Sequence, residues 1–237
     1  MSEKKSILVT GCTSGIGYAT AKYLNENGYQ VLLSARNKER LEKVSEELDN
    51  SKYIVCDFLE SDQIEALFRT CKEWQIKLDG MVHCAGSYSS LPIKMFKESD
   101  MKEQMQLHYF SFMELCKGFY DKNVSNKEAS VVGISSYATH TQYIGSSQYS
   151  ASMSALNTAV NIASKEFIKR NIRVNAVMPA YVQTRMLGDL EQYAGIEEKQ
   201  PMGLIPPTAI AQVIEFLISD KSKYITGVCI PISGGMA

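Results

Sequence analysis

Thr10-Gly11-Cys12-Thr13-Ser14-Gly15-Ile16-Gly17 follows the apolar run Ile7-Leu8-Val9 and leads into Ile16, Ala19, Thr20, Tyr23 and Leu24 at helical spacing. A short aliphatic and β-branched run reads as a buried parallel strand, and the stripe after it as a helix packed on that strand. Each of the three glycines removes a side chain from a crowded place. Gly11 permits the sharp turn, Gly15 lets the main chain approach a pyrophosphate, and Gly17 lets the helix lie close on the strand. Thr13, Ser14 and Ile16 complete the turn. Free N–H groups at the helix N-terminus, together with the helix dipole, favour negative charge there. The stretch predicts a phosphate cradle at the start of an α/β sheet.

Working outward, strand-like and helix-like segments alternate through nearly the whole chain. Strands are expected near 6–10, 30–34, 52–56, 79–84, 129–135, 172–178 and 226–231. Helical patterns fall near 15–27, 37–49, 61–74, 99–121, 149–170 and 207–219. Such alternation implies right-handed crossovers and a parallel sheet with helices on both faces. No linker or repeat interrupts it, so residues 1–237 are expected to form a single domain. One irregular stretch, 185–206, is rich in Gly, Met, Tyr and Pro and is expected to serve as a substrate loop.

Composition narrows the function. Hydrophobic residues make up 45% and charged residues 22% of the 237, enough for a large core. A formal net charge of −1 gives no electrostatic case for nucleic acid or an anionic membrane. The apolar stretches are strand-sized, too short for a membrane span. Met1-Ser2-Glu3-Lys4-Lys5 does not lead into a signal-peptide core. The six cysteines, at 12, 56, 71, 84, 116 and 229, show neither metal-site nor redox-motif spacing. They read as reduced core residues of a cytoplasmic protein.

The second strand ends in Ser34-Ala35-Arg36, where an adenosine ribose would lie. An acidic residue there would bind a ribose 2′-hydroxyl, whereas a basic one accommodates a 2′-phosphate. With Arg36 present and no carboxylate before Glu39, NADP(H) is favoured over NAD(H). Asp57, after the third strand, is placed either to accept a hydrogen bond from the adenine amino group or to cap the next helix.

Taken together, these motifs resemble one family, the compact single-domain short-chain dehydrogenase/reductases. The likeness extends through Ala85-Gly86, Ile134-Ser135-Ser136, Tyr149-Ser150-Ala151-Ser152, Arg173-Val174-Asn175-Ala176-Val177-Met178-Pro179, Thr184 and the closing Thr226-Gly227 and Ser233-Gly234-Gly235. The resemblance implies a Rossmann-type doubly wound sheet of seven parallel strands. It also implies NAD(P)-dependent interconversion of a small-molecule carbonyl and alcohol, and a homodimer or homotetramer. By position, Tyr149 would be the general acid/base, and Ser136, thirteen residues upstream, would hold the substrate oxygen. Ala85, Gly86, Pro179, Val182 and Thr184 would line the cofactor site. Tyr137, His140, Tyr143, Tyr181 and the methionines Met186 and Met202 are expected to wall a moderately apolar substrate pocket.

Four residues depart from the pattern that the resemblance implies. Met153 stands four residues after the tyrosine, where a lysine is expected; a thioether can neither bond ribose hydroxyls nor lower the phenol pKa. His108 stands where an asparagine of the proton relay is expected, Cys84 replaces another asparagine, and Ala180 replaces a glycine. Three readings follow, one of them that Met153 is an introduced substitution that traps a complex. In another, the chain is a weakened oxidoreductase in which His108 and water carry the proton. In the last, it is an NADP(H)-binding sensor or scaffold.

Overall fold

A computed structural model describes residues 4–188 and 195–236. Seven strands form: β1 (Ser6–Thr10), β2 (Gln30–Ala35), β3 (Ser51–Val55), β4 (Leu78–His83), β5 (Ser125–Ile134), β6 (Arg173–Pro179) and β7 (Cys229–Ile232). All pair in parallel in one sheet, in the order β3-β2-β1-β4-β5-β6-β7. The doubly wound sheet expected from the alternating pattern is the one that forms. The helices are α1 (Gly15–Glu26), α2 (Lys38–Glu47), α3 (Ser61–Glu73), α4 (Glu98–Met105), α5 (Ser111–Phe119), α6 (Ala138–Thr141), α7 (Ser147–Phe167) and α8 (Pro207–Ile218).

Successive residues of a strand point to opposite faces, so a strand covered on both sides is apolar throughout. In β1, Ile7 and Val9 pack with Leu24 of α1, Leu41 of α2 and Ile210 and Ile214 of α8. Leu8 turns the other way, toward Leu67 of α3, Phe112 of α5 and Val160 of α7. Two cores result, one on each face of the sheet. Among the described residues, no helix is long and apolar enough to cross a membrane.

The helix expected over 99–121 forms as continuous helical backbone from Glu98 to Phe119, with one irregular turn inside it. A π turn at Gln106–Phe110 separates α4 from α5. There the Ser111 hydroxyl donates to the Leu107 carbonyl and His108 is buried against α7. Such side-chain competition with the helical ladder accompanies wide turns. β7 starts three residues later than expected, because Thr226 and Gly227 make the turn into it. The Thr226 hydroxyl accepts from the Val174 N–H at 3.0 Å, and Gly227 takes a φ of +77°.

The chain leaves β1 for β2 on one side, and after β3 returns to place β4 on the other side of β1, opening a crevice above the carboxyl ends of β1 and β4. Thr10 holds that crevice together. Its hydroxyl oxygen accepts from the N–H groups of Cys84 (3.1 Å) and Ala85 (3.2 Å) and pairs with His83 Nδ1 at 2.9 Å. His83 Nε2 in turn meets the Ser111 hydroxyl at 3.1 Å, so one polar chain joins β1, β4 and α5. Replacing Thr10 by isosteric valine strips two buried N–H groups of their acceptor, at about 1–3 kcal/mol each. The Thr10→Val variant is expected to lose about 2–4 kcal/mol of unfolding free energy in urea, with Thr10→Ser losing less. Equal losses in the two variants would disprove the role of the hydroxyl.

Candidate active site

A cleft of about 410 Å³ runs along the carboxyl ends of the strands. At its centre lie Gly11, Thr13, Ser14, Gly15, Ile16 and Gly17. Gly11 (φ +62°) has no room for a Cβ, which would sit 2.7 Å from the Ala85 nitrogen. A Cβ on Gly17 would collide with the Gly11 carbonyl oxygen. Ser14 is the N-cap of α1, yet its hydroxyl makes no capping bond, leaving the first N–H groups of the helix available to an anion. Thr184 closes the cradle from the opposite side, so near that a Cβ on Gly15 would lie 3.3 Å from its methyl group. Ala85, Gly86, Pro179 and Val182 line the same cleft. A dinucleotide fits these residues: bare backbone faces a free helix N-terminus, with uncrowded walls on both sides.

At one end, Arg36 occupies the turn between β2 and α2 and borders the cleft. Asn37 caps α2 by accepting from the Arg40 N–H at 2.9 Å, which brings Arg40 to the same wall. Sequence reading missed Asn37 and Arg40, although two arginines four apart across a helix start were a usable signal. Asp57 also lines the cleft. It does not cap α3, whose N-cap is Glu60; its carboxylate accepts from the Leu59 N–H at 3.1 Å instead.

At the other end, Ser136 follows β5, its hydroxyl oriented by the Ala138 N–H at 3.2 Å. Tyr149 stands in the first turn of α7, a turn tied down where the Ser150 hydroxyl donates to the Ala138 carbonyl at 3.0 Å. Burial raises the Tyr149 phenol above its ordinary value, a hydrogen bond with Ser136 draws it back, and Tyr88 adds a further rise. Met153, one turn on, is buried and lines the same cleft.

His108 is buried beneath this group, its ring edge-on to Tyr149 with centroids 5.7 Å apart. The Ser87 N–H donates to Nε2 at 3.2 Å, so Nδ1 carries the hydrogen and donates to the Ser152 hydroxyl at 2.9 Å. Ser152 passes its own hydrogen to the Tyr149 carbonyl at 2.8 Å. Both ring nitrogens are thus engaged by the protein. Cys84 also borders the cleft, its thiol pushed well above the ordinary range by burial.

Of the expected substrate residues, Tyr137, Tyr143 and Tyr181 line the cleft. His140 does not: α6 turns it outward, exposed and stacked flat on Tyr137 at 5.2 Å. Met186 lines the wall, but Met202 is 81% exposed and away from it. The expected loop 185–206 lies partly outside the described residues, at 189–194. Its base is clamped. Val182 pairs with Ile205, and the fully buried Gln200 accepts from the Tyr181 N–H at 2.9 Å and donates to its carbonyl at 3.0 Å. Two residues that sequence reading missed complete the wall. Met236 accepts the Tyr137 hydroxyl at 3.0 Å, and Tyr88 sits edge-on to Tyr149 at 5.2 Å.

Comparison with known proteins agrees with this geometry. A family model described as enoyl-(acyl carrier protein) reductase matches residues 11–237. The chain is 30% identical over 233 residues to carbonyl reductase family member 4 of Xenopus laevis, covering 98% of each. It is 31% identical over 237 residues to the 3-oxoacyl-acyl-carrier-protein reductase of Rickettsia conorii, covering 98% of this chain and 96% of that one. A dehydrogenase/reductase from Sinorhizobium meliloti superposes with a TM-score of 0.91 at 28% identity, covering 98% of this chain and 94% of that structure. The chain belongs to the short-chain dehydrogenase/reductase family, whose members are oxidoreductases.

The two buried histidines make a pH prediction. Burial lowers His83 and His108 from the ordinary value of 6.5 to about 4. Below the ordinary value the unfolded chain takes up protons that the fold refuses, so stability falls with pH between those two values. By pH 5 the loss is expected to reach about 2 kcal/mol per histidine in urea unfolding. A His108→Asn variant should decline less steeply; an identical decline would refute the assignment.

Proposed function

We propose that this chain is an NADP(H)-dependent reductase of small-molecule carbonyls, a weakened oxidoreductase rather than a sensor. One observation carries the reading: Ser136 and the Tyr149 phenol open into the same cleft as the Gly11–Gly17 cradle. The curated relatives named above, a carbonyl reductase and a 3-oxoacyl-acyl-carrier-protein reductase, support it.

When bound, the nicotinamide supplies the hydride. Ser136 holds the substrate oxygen, and Tyr149 donates its hydrogen to that oxygen as negative charge grows there. Donors fixed in advance by a buried wall favour that charge more than mobile water does. Among the described residues, burial, Ser136 and Tyr88 set the Tyr149 titration, and Met153 offers no charge. The phenol therefore keeps its hydrogen through neutral pH. That suits donation, in the reductive direction, and hinders abstraction from an alcohol.

His108 is assigned a positioning role, replacing the proton-carrying role that the sequence suggested. With Nε2 held by Ser87 and Nδ1 by Ser152, it locks the turn of α7 that carries Tyr149. Arg36 and Arg40 beside the cleft, with Glu39 absent from its lining, favour a 2′-phosphate. The single domain, 1–237, uses 185–206 as its substrate loop. Exposed Phe110, Met113 and Ile162 beside α5 and α7 favour a homo-oligomer.

Two measurements test the reading. Calorimetry should find NADPH binding at least about tenfold tighter than NADH, with Arg36→Ala narrowing the gap. Equal affinities in the unaltered chain would remove the 2′-phosphate assignment. Ketone reduction followed by nicotinamide absorbance should fall about 100-fold or more in Tyr149→Phe. Introducing lysine, Met153→Lys, should lower the pH at which reduction declines and raise alcohol oxidation at neutral pH. Turnover indifferent to Tyr149→Phe would sink the proposal.

A further inference from the structure

The segment that follows β7 returns to the cleft and is held there by its main chain. The Ala180 N–H donates to the Ile232 carbonyl at 3.0 Å, and the Met202 N–H donates to the Gly234 carbonyl at 2.9 Å. Gly234 and Gly235 take φ values of +59° and +86°, in the left-handed region. Their bare backbone lies close on the loop base. A Cβ on Gly234 would sit 2.8 Å from Cγ of Gln200, and one on Gly235 3.3 Å from Cδ of Pro201. Beyond the glycines, the Met236 N–H donates to the Ser233 carbonyl at 3.1 Å, and its carbonyl accepts the Tyr137 hydroxyl at 3.0 Å. Met236 is thereby brought to the cleft that Ser136 and Tyr149 line.

Both of these bonds at residue 236 are made by its main chain, so its side chain is not needed to fasten the segment. A half-buried, unbranched thioether at a cleft wall is instead available to what enters. The neighbouring walls are less adaptable. Tyr137 is fixed at its hydroxyl by Met236 and at its N–H by the Pro179 carbonyl at 2.9 Å. Tyr181 is fixed at its N–H and carbonyl by Gln200. With its one hydrogen given to the Met236 carbonyl, the Tyr137 hydroxyl has none left to donate to a ligand.

We propose that Met236 is a specificity-determining residue whose side chain limits the apolar bulk that a ketone carries away from its reacting carbonyl. Tyr137 is the positioning residue that fastens it. This inference rests on the carbonyl-reductase reading. An apolar wall discriminates by size, and a single methylene of misfit there is worth about tenfold or more.

Cyclohexanone and 4-tert-butylcyclohexanone share the same reacting carbonyl and differ only in bulk on the far side of the ring. The first readout is the ratio of their kcat/KM values with NADPH, larger ketone over smaller. The second is the same ratio of their association constants on the NADP+-loaded protein. Met236→Ala removes Cγ, Sδ and Cε but keeps the main-chain bonds, and is expected to raise both ratios about tenfold. Met236→Phe should lower them. Tyr137→Phe, which keeps the ring and unfastens the segment, should raise them by a smaller factor. Ratios unchanged in both Met236 variants, or equal changes for the two ketones, overturn the inference even if Tyr149→Phe still abolishes turnover. Association ratios that shift as expected while Tyr149→Phe leaves turnover intact keep the inference and overturn the mechanism. Failure of both ketones to bind any form overturns both together.

Discussion

The Thr10 hydroxyl accepts two main-chain N–H groups from the loop after β4, and in doing so sets the width of the crevice. It brings Gly11 so near Ala85 that neither position tolerates displacement. From this junction the cradle runs one way along α1. The polar chain through His83 and Ser111 runs the other way, into the helices beneath Tyr149. The glycine turn, β4 and α5 are thus parts of one hydrogen-bonded frame. A strand-end threonine can do this because its hydroxyl accepts twice and donates once.

Around Tyr149 the physical trade is between positioning and charge. Met153 and the neutral His108 surround the phenol with a buried, uncharged setting. Such a setting holds geometry well, since both His108 ring nitrogens have partners, but it offers little to stabilise a phenolate. Under the proposed function, this arrangement suits a Tyr149 that gives a proton rather than one that takes it. The two changes belong together: an imidazole locked by Ser87 and Ser152 would have little to carry if no ammonium stood at 153.

Much of this was legible in the chain. Buried parallel strands are apolar on both faces, so Ile7-Leu8-Val9 and Val131-Val132 announced themselves, and the glycines marked the turn between strand and helix. Arg36 followed from its place at the end of the second strand, whereas Ser136 and Thr184 came from the resemblance to the family. His140 misled because a loop position says nothing about direction; a four-residue helix turned it to solvent against Tyr137. Tyr88 escaped notice because the irregular segment bearing it has no periodicity to read.

The amino-acid order by itself determined the sheet, its helical covering and the phosphate cradle, because these depend on local spacing and on the absence of side chains at particular points. Only the tertiary structure decided which groups meet across long separations. The Tyr88, Tyr143 and Tyr149 rings, the clasp of Gln200 on Tyr181, and the tie from Tyr137 to Met236 all join distant segments. Such contacts depend on how the loops above the sheet fold back on one another, and no local pattern of residues encodes that.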